Sequence, residues 1–292
     1  DFLVLYGDTN STLAGAIAAS KLQIPVVHIE AGLRSFNKSM PEEINRIMCD
    51  HVSTLLFSPT ETGIRNLKNE GFRLHTEPPF TMDNPGVFHC GDVMYDNSLH
   101  FAEIAAQKSH VLDKFGAESG KYILCTIHRN NNTDDPKRLS AIFRALNRIG
   151  AENQTDIILP LHPRTTKMMK QNLDPDLMKV LEKNPYMKTG DPVSFLDIIQ
   201  LERNAKMVIT DSGGVQKEAY FFKKPGIILR PQTEWVELVK SGTAIIADAE
   251  EKRIVEAYAY FSEKQNLDYP EIFGDGRASE FICKQLIKAT ES

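Results

Sequence analysis

The segment Asp211–Glu218 has the clearest chemical potential in the chain, because it carries two adjacent glycines between two apolar stretches. The run Met207–Thr210 before it is typical of a buried strand, and Ala219–Phe222 after it is typical of a helix. Glycines at a strand-to-helix turn let backbone N–H groups approach an anion closely. The unpaired N–H groups and the dipole of the helix N-terminus attract phosphate. The pattern therefore favours a phosphate site.

Particular residues of this turn have expected roles. Ser212, Gly213 and Gly214 are candidates for binding phosphate through the backbone. Glu218 lies about one helical turn further on, where an acidic residue accepts hydrogen bonds from sugar hydroxyls. A tight turn capped by Asp211 or Ser212, with nothing bound, is the competing interpretation.

Two carboxylates follow successive strands in the first part of the chain. Residues 2–6 and 25–29 are predicted strands, joined by an Ala-rich helix, and Asp8 and Glu30 come directly after them. A strand–helix–strand unit gives parallel strands, and ligands bind outside the carboxyl ends of such strands. A purely structural interpretation makes Asp8 a helix cap and Glu30 a partner of Arg34.

A helix start is indicated at Pro41, since proline favours the first helical turn and acids follow it. Glu42 and Arg46 are four residues apart and share a face of this helix. For an isolated pair, a surface ion pair is the simpler interpretation. Together with Asp8 and Glu30, they become candidates for a site.

Basic residues follow the predicted strands of the second half. His128 and Arg129 end one strand, and His162 ends another. Cations there would stabilise a departing diphosphate, while the carboxylates of the first half would move protons at carbon. A single histidine is as often structural, so the inference depends on the whole set.

The remaining sequence must position these groups. Strand and helix patterns alternate throughout, which predicts an α/β fold with two doubly wound domains facing one another. We expect domains at 1–112 and 113–274, with a final helix at 275–292 that packs back on the first domain. The chain begins without Met, directly in a predicted core strand, so we expect part of the first domain to precede it.

Composition narrows the class of function. A net charge of −5 and a pI of about 5.9 argue against nucleic acid as the main partner. The four cysteines are far apart, which predicts reduced, mostly buried thiols in a cytoplasmic protein. No apolar run reaches the roughly 20 residues of a membrane span, so no membrane partner is expected.

Several motifs together carry a family resemblance. They occur in the order in which the family has them and span nearly the whole chain. The sequence resembles the non-hydrolysing UDP-N-acetylglucosamine 2-epimerases at Gly7-Asp8-Thr9, His28-Ile29-Glu30-Ala31-Gly32-Leu33-Arg34, Pro41-Glu42-Glu43-Ile44-Asn45-Arg46, Ser58-Pro59-Thr60-Glu61, Thr126-Ile127-His128-Arg129 and Asp211-Ser212-Gly213-Gly214-Val215-Gln216.

The resemblance implies two Rossmann-like domains in a GT-B-type arrangement, with part of the first domain missing. It implies inversion of C2 in UDP-N-acetylglucosamine to give UDP-N-acetylmannosamine, by elimination and re-addition of UDP in the cleft between the domains. No cofactor and no metal are implied, and a homodimer is usual. By position, the implied catalytic residues are Asp8, Glu30, Glu42 and His128, the implied substrate-binding residues are Arg46, Ser212, Gly213, Gly214 and Glu218, and Arg129 and His162 are possible allosteric residues.

Besides the missing opening region, two single positions depart from the family, and the second of them leaves the sugar open. Asn131 stands where the family usually has Glu, and Trp235 stands where many members have Arg. The tryptophan form resembles the branch that includes 2-epimerases of UDP-2,3-diacetamido-uronic acids. Three further interpretations compete with a non-hydrolysing epimerase: a hydrolysing relative that releases UDP, a glycosyltransferase using the same donor, and an inactive truncated remnant.

Overall fold

The computed structural model describes residues 1–264 and 266–291. It divides into two compact units, one formed by Asp1–Asn97 with the chain from Glu271 onward, and one formed by Ser98–Pro270. The expected division of the chain into domains at residues 112 and 274 stays a prediction.

The first unit contains a four-stranded parallel sheet in the order β1-β2-β3-β4. Its elements in the first stretch of chain are β1 (Leu3–Tyr6), α1 (Asn10–Lys21), β2 (Val26–Ile29), α2 (Pro41–His51), β3 (Leu55–Ser58), α3 (Glu61–Asn69), β4 (Gly86–His89) and α4 (Val93–Lys108), the last of which continues into the second unit. The apolar run of β3 is buried throughout, as expected for an inner parallel strand. Pro41 lies in the first turn of α2, where the N–H that proline lacks would have no partner within the helix.

The second unit contains a six-stranded parallel sheet in the order β10-β9-β8-β5-β6-β7. Its elements are α5 (Val111–Phe115), β5 (Tyr122–Thr126), α6 (Asn130–Thr133), α7 (Pro136–Asn153), β6 (Asp156–Pro160), α8 (Pro163–Asn172), α9 (Pro175–Lys183), β7 (Met187–Gly190), α10 (Phe195–Asn204), β8 (Met207–Thr210), α11 (Gly213–Phe221), β9 (Gly226–Ile228), α12 (Val236–Lys240), β10 (Ala244–Ile246) and α13 (Glu251–Glu263).

Helices cover both faces of this second sheet. Ile123 and Cys125 of β5 belong to a core cluster with α7 and α13, whereas Tyr122 and Leu124 belong to a cluster with α10 and α11. Successive residues of a strand point to opposite faces, so the alternation produces two buried layers. This doubly wound arrangement is the one that the sequence predicted.

The chain after Glu271 returns to the first unit. The last helix, α14 (Ala278–Glu291), brings Ile282 into one core cluster with Val27, Leu55 and Phe57. The backbone N–H of Ala278 also donates to Asp96 over 3.0 Å. The end of the chain is therefore part of the hydrophobic core of the unit that begins it.

Two short helices lie beside longer elements. Helix α5 is separated from α4 at Ser109, whose Oγ accepts from the N–H of Val111 and donates to Asp197 over 2.6 Å. The polar segment after β5 contains the short helix α6, which begins at Asn130.

Candidate active site

Asp8 lies just beyond the carboxyl end of β1, before Thr9, which caps α1. Its carboxylate lies 2.5 Å from the guanidinium of Arg46, whose side chain is only 6% exposed. Its backbone carbonyl accepts a hydrogen bond from the side-chain amide of Asn45 over 2.8 Å. Helix α2 thus holds both the backbone and the carboxylate of Asp8, leaving that side chain partly open to solvent.

Glu30 lies at the same edge of the sheet, after β2. It adopts a left-handed conformation with φ of 76°, and its N–H donates to the carbonyl of Phe57 over 3.0 Å. Its Oε2 is 3.5 Å from the point that a Cβ on Gly7 would occupy. Strained residues of this kind cluster at functional sites. The turns that carry Asp8 and Glu30 therefore lie side by side.

Glu43, which the sequence did not single out, is the buried acid at the start of α2. Its carboxylate accepts from the N–H of Ser35 and of Phe36, each over 2.8 Å, and from Arg46 over 3.1 Å. Burial opposes ionisation, but these donors hold the pKa of Glu43 below its usual value. Arg46 pairs with Asp8 and Glu43. Glu42 is half-buried, and the expected interaction between Arg46 and Glu42 stays a prediction.

A buried ion network lies behind these turns, and sequence reasoning missed its centre. Asp50 is fully buried and lies 2.7 Å from His28 and 2.8 Å from Arg34. Arg34 also makes two hydrogen bonds of 2.7 Å to Glu70. A network around Asp50 thus replaces the Glu30–Arg34 pair of the structural interpretation. The only signal in the sequence was the presence of both His28 and Arg34 within one short motif.

In the second unit, Asp211 organises the turn that follows β5. It is fully buried and accepts from the backbone N–H groups of His128 and Arg129 over 3.1 and 3.0 Å, and from the side chain of Asn132 over 3.0 Å. His128 Nδ1 lies 3.3 Å from the same carboxylate, and this imidazole is 45% exposed. Asp211 therefore fixes the backbone that carries His128, rather than capping a helix.

His162 lies at the end of β6 and caps α8. Its Nδ1 accepts from the N–H of Arg164 over 3.2 Å, so the neutral ring carries its proton on Nε2. Arg164 is paired with Asp134 over 2.6 Å. An allosteric role for Arg129 or His162 stays a prediction.

The glycine turn forms as the sequence indicates. Ser212 caps α11, and its Oγ accepts from the N–H of Val215. A Cβ at Gly213 would lie 2.5 Å from Glu234 Oε1, so a larger residue there would require the Glu234 side chain to move. Glu234 is in turn held by Arg230 over 2.9 Å. The Arg230–Glu234 ion pair therefore lies close to the N-terminus of α11.

Glu218 is 8% exposed, within α11. Burial and the neighbouring Glu218 charge raise the pKa of Glu202, on α10, well above its usual range. Lys217, beside Glu218, lies 4.2 Å above the ring of Trp235, at cation–π distance.

Within residues 1–264 and 266–291, no cluster of three or more His, Cys, Asp or Glu side chains is arranged to hold a metal ion. In the same part of the chain, no helix is long and apolar enough to cross a membrane.

The two units, each built on a parallel sheet with helices packed against it, define an α/β protein of the class to which structurally similar GT-B-type enzymes belong. The fold class expected from the sequence is therefore confirmed. The chain belongs to the UDP-N-acetylglucosamine 2-epimerase family, whose sequence profile matches residues 1–287. This membership confirms the resemblance found in the sequence and the prediction that the protein is an enzyme.

The names of similar proteins include two different UDP-sugars. The chain is 46% identical to the UDP-2,3-diacetamido-2,3-dideoxy-D-glucuronate 2-epimerase of Pseudomonas aeruginosa, covering 98% of this chain and 74% of the relative. It is 44% identical to a UDP-N-acetylglucosamine 2-epimerase homolog of Methanococcus maripaludis, covering 98% and 75%. The structure is similar to the crystal structure of Methanocaldococcus jannaschii UDP-GlcNAc 2-epimerase in complex with UDP-GlcNAc and UDP, with a TM-score of 0.83, 38% identity, and coverage of 99% of this chain and 76% of that chain.

Proposed function

We propose that the protein interconverts UDP-N-acetylglucosamine and UDP-N-acetylmannosamine by inverting C2 of the sugar, with UDP eliminated and then re-added. The observation that carries the proposal is the pair of adjacent turns bearing Asp8 and Glu30, with Asp8 oriented by Arg46. A C2 epimerase needs one group that removes a proton and one that returns it to the opposite face of the carbon. Two carboxylates held on neighbouring parallel strands meet that need.

The bonds balance without an added reactant. A carboxylate takes the proton from C2, the C–H electron pair forms the C1=C2 double bond, and the C1–O bond breaks with its electrons leaving on UDP. In the return step UDP adds to C1, and C2 receives a proton from the opposite face. We assign the proton transfers to Asp8, Glu30 and Glu42. The fixed positions of the first two favour them as the main pair.

The leaving group needs stabilisation as negative charge develops on the diphosphate. We assign this role to His128 and to the helix N-terminus at Ser212, Gly213 and Gly214. The exposed imidazole of His128, on a backbone fixed by Asp211, supports the assignment.

The remaining ligand contacts follow the same proposal. Glu218 would accept from the ribose hydroxyls. Arg129 and His162 would belong to an effector site.

A second candidate substrate is a UDP-2,3-diacetamido-uronic acid. Identity of 46% to a relative named for that sugar favours it, as does Trp235 at the position where many family members have arginine. The chemistry at C2 would be the same. The two substrates differ in the groups at C3 and C6, and so in the contacts that the sugar requires.

Proton NMR in D2O tests both candidates. The purified protein is incubated with each UDP-sugar, and the C2 epimer is expected to appear with deuterium at C2. Free UDP accumulating in equal amount to product would replace the proposal with a hydrolysing reaction. Absence of C2 exchange with both sugars would overturn it. A glycosyltransferase would give no product without an acceptor.

We also propose a homodimer, as is usual in the family, and a cytoplasmic location. Sedimentation equilibrium across a range of protein concentrations tests the first, and fractionation of the source cells tests the second.

A further inference from the structure

The imidazole of His28 lies between two acceptors. Its Nδ1 is 2.7 Å from Asp50 Oδ1, and its Nε2 is 3.0 Å from the backbone carbonyl oxygen of Gly7. A neutral imidazole has one N–H, so one of these contacts would place two lone pairs together. Both are hydrogen bonds only in the imidazolium form. The side chain is fully buried, so water does not replace either partner.

The surroundings favour that charged form. Burial alone lowers the pKa of His28, but the hydrogen bond and charge of Asp50, with the Gly7 carbonyl and the Glu30 carboxylate, raise it above its usual value. For Asp50, burial alone raises the pKa, and His28 and Arg34 together lower it below the usual range. The two residues therefore form a buried ion pair.

The same ion pair reaches two turns. The Gly7 carbonyl precedes Asp8 directly, and Asp50 Oδ2 accepts from the N–H of Gly32 over 3.1 Å, two residues after Glu30. Only glycine fits at this position, because a Cβ on Gly32 would lie 2.5 Å from the carbonyl oxygen of Gly63. One contact of the pair thus fixes the Asp8 turn, and the other fixes the Glu30 turn.

We propose that His28 and Asp50 are positioning residues for C2 epimerisation, which set the relative placement of the Asp8 and Glu30 carboxylates. This inference rests on the proposed function, since it assigns those carboxylates to proton transfer. Removing a proton from one face of a carbon and returning it to the other requires two groups at a fixed separation. A buried ion pair that holds both turns supplies that separation.

The proposal has a pH signature. When His28 loses a proton, an Nε2 lone pair faces the Gly7 carbonyl, and the Asp8 turn is released. The rate is therefore expected to fall as pH rises through the pKa of His28. The charged groups that act on the His28 ring are Asp50 and Glu30, and Arg34 acts on Asp50. The Cys49 thiol is influenced by both Asp50 and Asp8.

Three variants separate positioning from folding. Asp50→Asn removes the charge that stabilises the imidazolium. His28→Asn keeps a donor near Nδ1 for Asp50 but leaves the Gly7 carbonyl without its partner. Glu70→Gln is the matched control, because it removes a carboxylate on the other side of Arg34 and leaves the contacts to Gly7 and Gly32 in place.

The first measurement uses no substrate. Nitrogen-15 NMR of the histidine rings, with His28→Asn identifying the signal, is expected to show both His28 nitrogens protonated near neutral pH. A signal from an unprotonated ring nitrogen at that pH would overturn the inference.

The second measurement is the rate of C2 deuterium exchange. A misplacement of about 1 Å costs on the order of 100-fold in rate, so kcat of His28→Asn and Asp50→Asn is expected to fall by about that factor, with the affinity for UDP within about threefold. In the pH profile of the exchange rate, the fall at alkaline pH is expected to move to lower pH in Asp50→Asn and to stay in place in Glu70→Gln. If folded His28→Asn exchanges C2 at the parental rate, the positioning role is wrong. If the parent exchanges C2 of neither sugar, the proposed function fails, while the ring-nitrogen result still decides the state of His28.

Discussion

The guanidinium of Arg46 lies 2.5 Å from the carboxylate of Asp8 and 3.1 Å from that of Glu43. Glu43 is itself held by two backbone N–H groups, so Arg46 is anchored on one side before it contacts Asp8 on the other. The direction of the Asp8 carboxylate is thus set by a chain of contacts within α2 and the loop before it.

Replacing Asp8 with Asn tests its proposed role in proton transfer. The amide has nearly the same shape but takes no proton, so kcat is expected to fall by about 10²- to 10⁴-fold. The affinity for UDP is expected to remain within a few-fold, because the proposed diphosphate contacts belong to the second unit. Deuterium exchange at C2 and isothermal titration with UDP measure the two effects. The exposed Asp83→Asn is the matched control, and equal rates for both variants would exclude Asp8 from the chemistry.

Gly213→Ala tests the glycine turn. An added Cβ would lie 2.5 Å from Glu234 Oε1, so either the helix start or the Arg230–Glu234 pair must move. We expect the affinity for UDP to fall at least about tenfold, a loss of about 1.4 kcal/mol in binding free energy. Gly226→Ala is the control, since its Cβ would make an ordinary contact of 3.6 Å with Ala244. Unchanged UDP binding by Gly213→Ala would show that this turn does not hold the diphosphate.

Asp211→Asn tests the support of His128. The variant turns an amide donor toward groups that are themselves donors, so buried hydrogen bonds are lost. The free energy of unfolding is expected to fall by about 1–3 kcal/mol. Urea unfolding followed by fluorescence of the buried Trp235 reports on this unit. The exposed Asp191→Asn should leave the midpoint unchanged, and an equally small effect of Asp211→Asn would contradict the anchoring role.

Much of the fold was predictable because strand-forming runs are apolar and turns are polar. The strands Tyr122–Thr126 and Met207–Thr210 can be recognised from their local sequence alone. Strands that alternate with helices form parallel sheets. The segment around β7 could not be assigned in the same way. This strand contains Lys188 and Thr189 at the edge of the sheet, where half-exposed side chains give no apolar run.

The candidate site was predictable only where a motif is local. The turn at Ser212 and Gly213 was predicted because a strand, two glycines and a helix are adjacent in sequence. Asp211 was interpreted as a possible cap, whereas it accepts from the backbone of His128, which lies 83 residues earlier. His28 and Asp50 are likewise 22 residues apart. Partners of buried charges depend on how strands are ordered in space, and a local pattern carries little of that information.

Thiol reactivity is expected to separate the four cysteines, all of which lie in the described residues. Cys283 is exposed, whereas burial raises the pKa of Cys49 to about 11 and that of Cys90 to about 12. Cys125 is fully buried, and burial raises its pKa well above the usual value. The thiolate is the reactive form, so one thiol should react quickly with Ellman's reagent in native protein, and all four in urea. Cys283→Ser should remove the fast phase, and a fast phase that survives would contradict the low reactivity expected of buried Cys49 and Cys125 and of half-buried Cys90.

The stability of the first unit should depend on His28 at alkaline pH. Its folded pKa is raised above the unfolded value of about 6.5, so the charged form contributes stability in full below that pH. This contribution is lost as pH rises through the folded pKa, at about 1.4 kcal/mol for each unit by which the pKa is raised. Urea unfolding followed by far-ultraviolet circular dichroism, at about pH 6 and about pH 9, measures the change.

His28→Asn supplies the comparison for this pH dependence, because it removes the titrating group and keeps a donor for Asp50. Its free energy of unfolding should be lower than that of the parent at about pH 6 and should change less on going to about pH 9. Asp50 gives the opposite pH dependence, because its pKa is lowered in the folded protein. Its contribution to stability is present above its unfolded pKa of about 3.9 and is lost as the pH falls through its folded pKa. If the free energy of unfolding of parent and variant changed equally between about pH 6 and about pH 9, His28 would be neutral in the folded protein. Its hydrogen bond to the Gly7 carbonyl would then be absent.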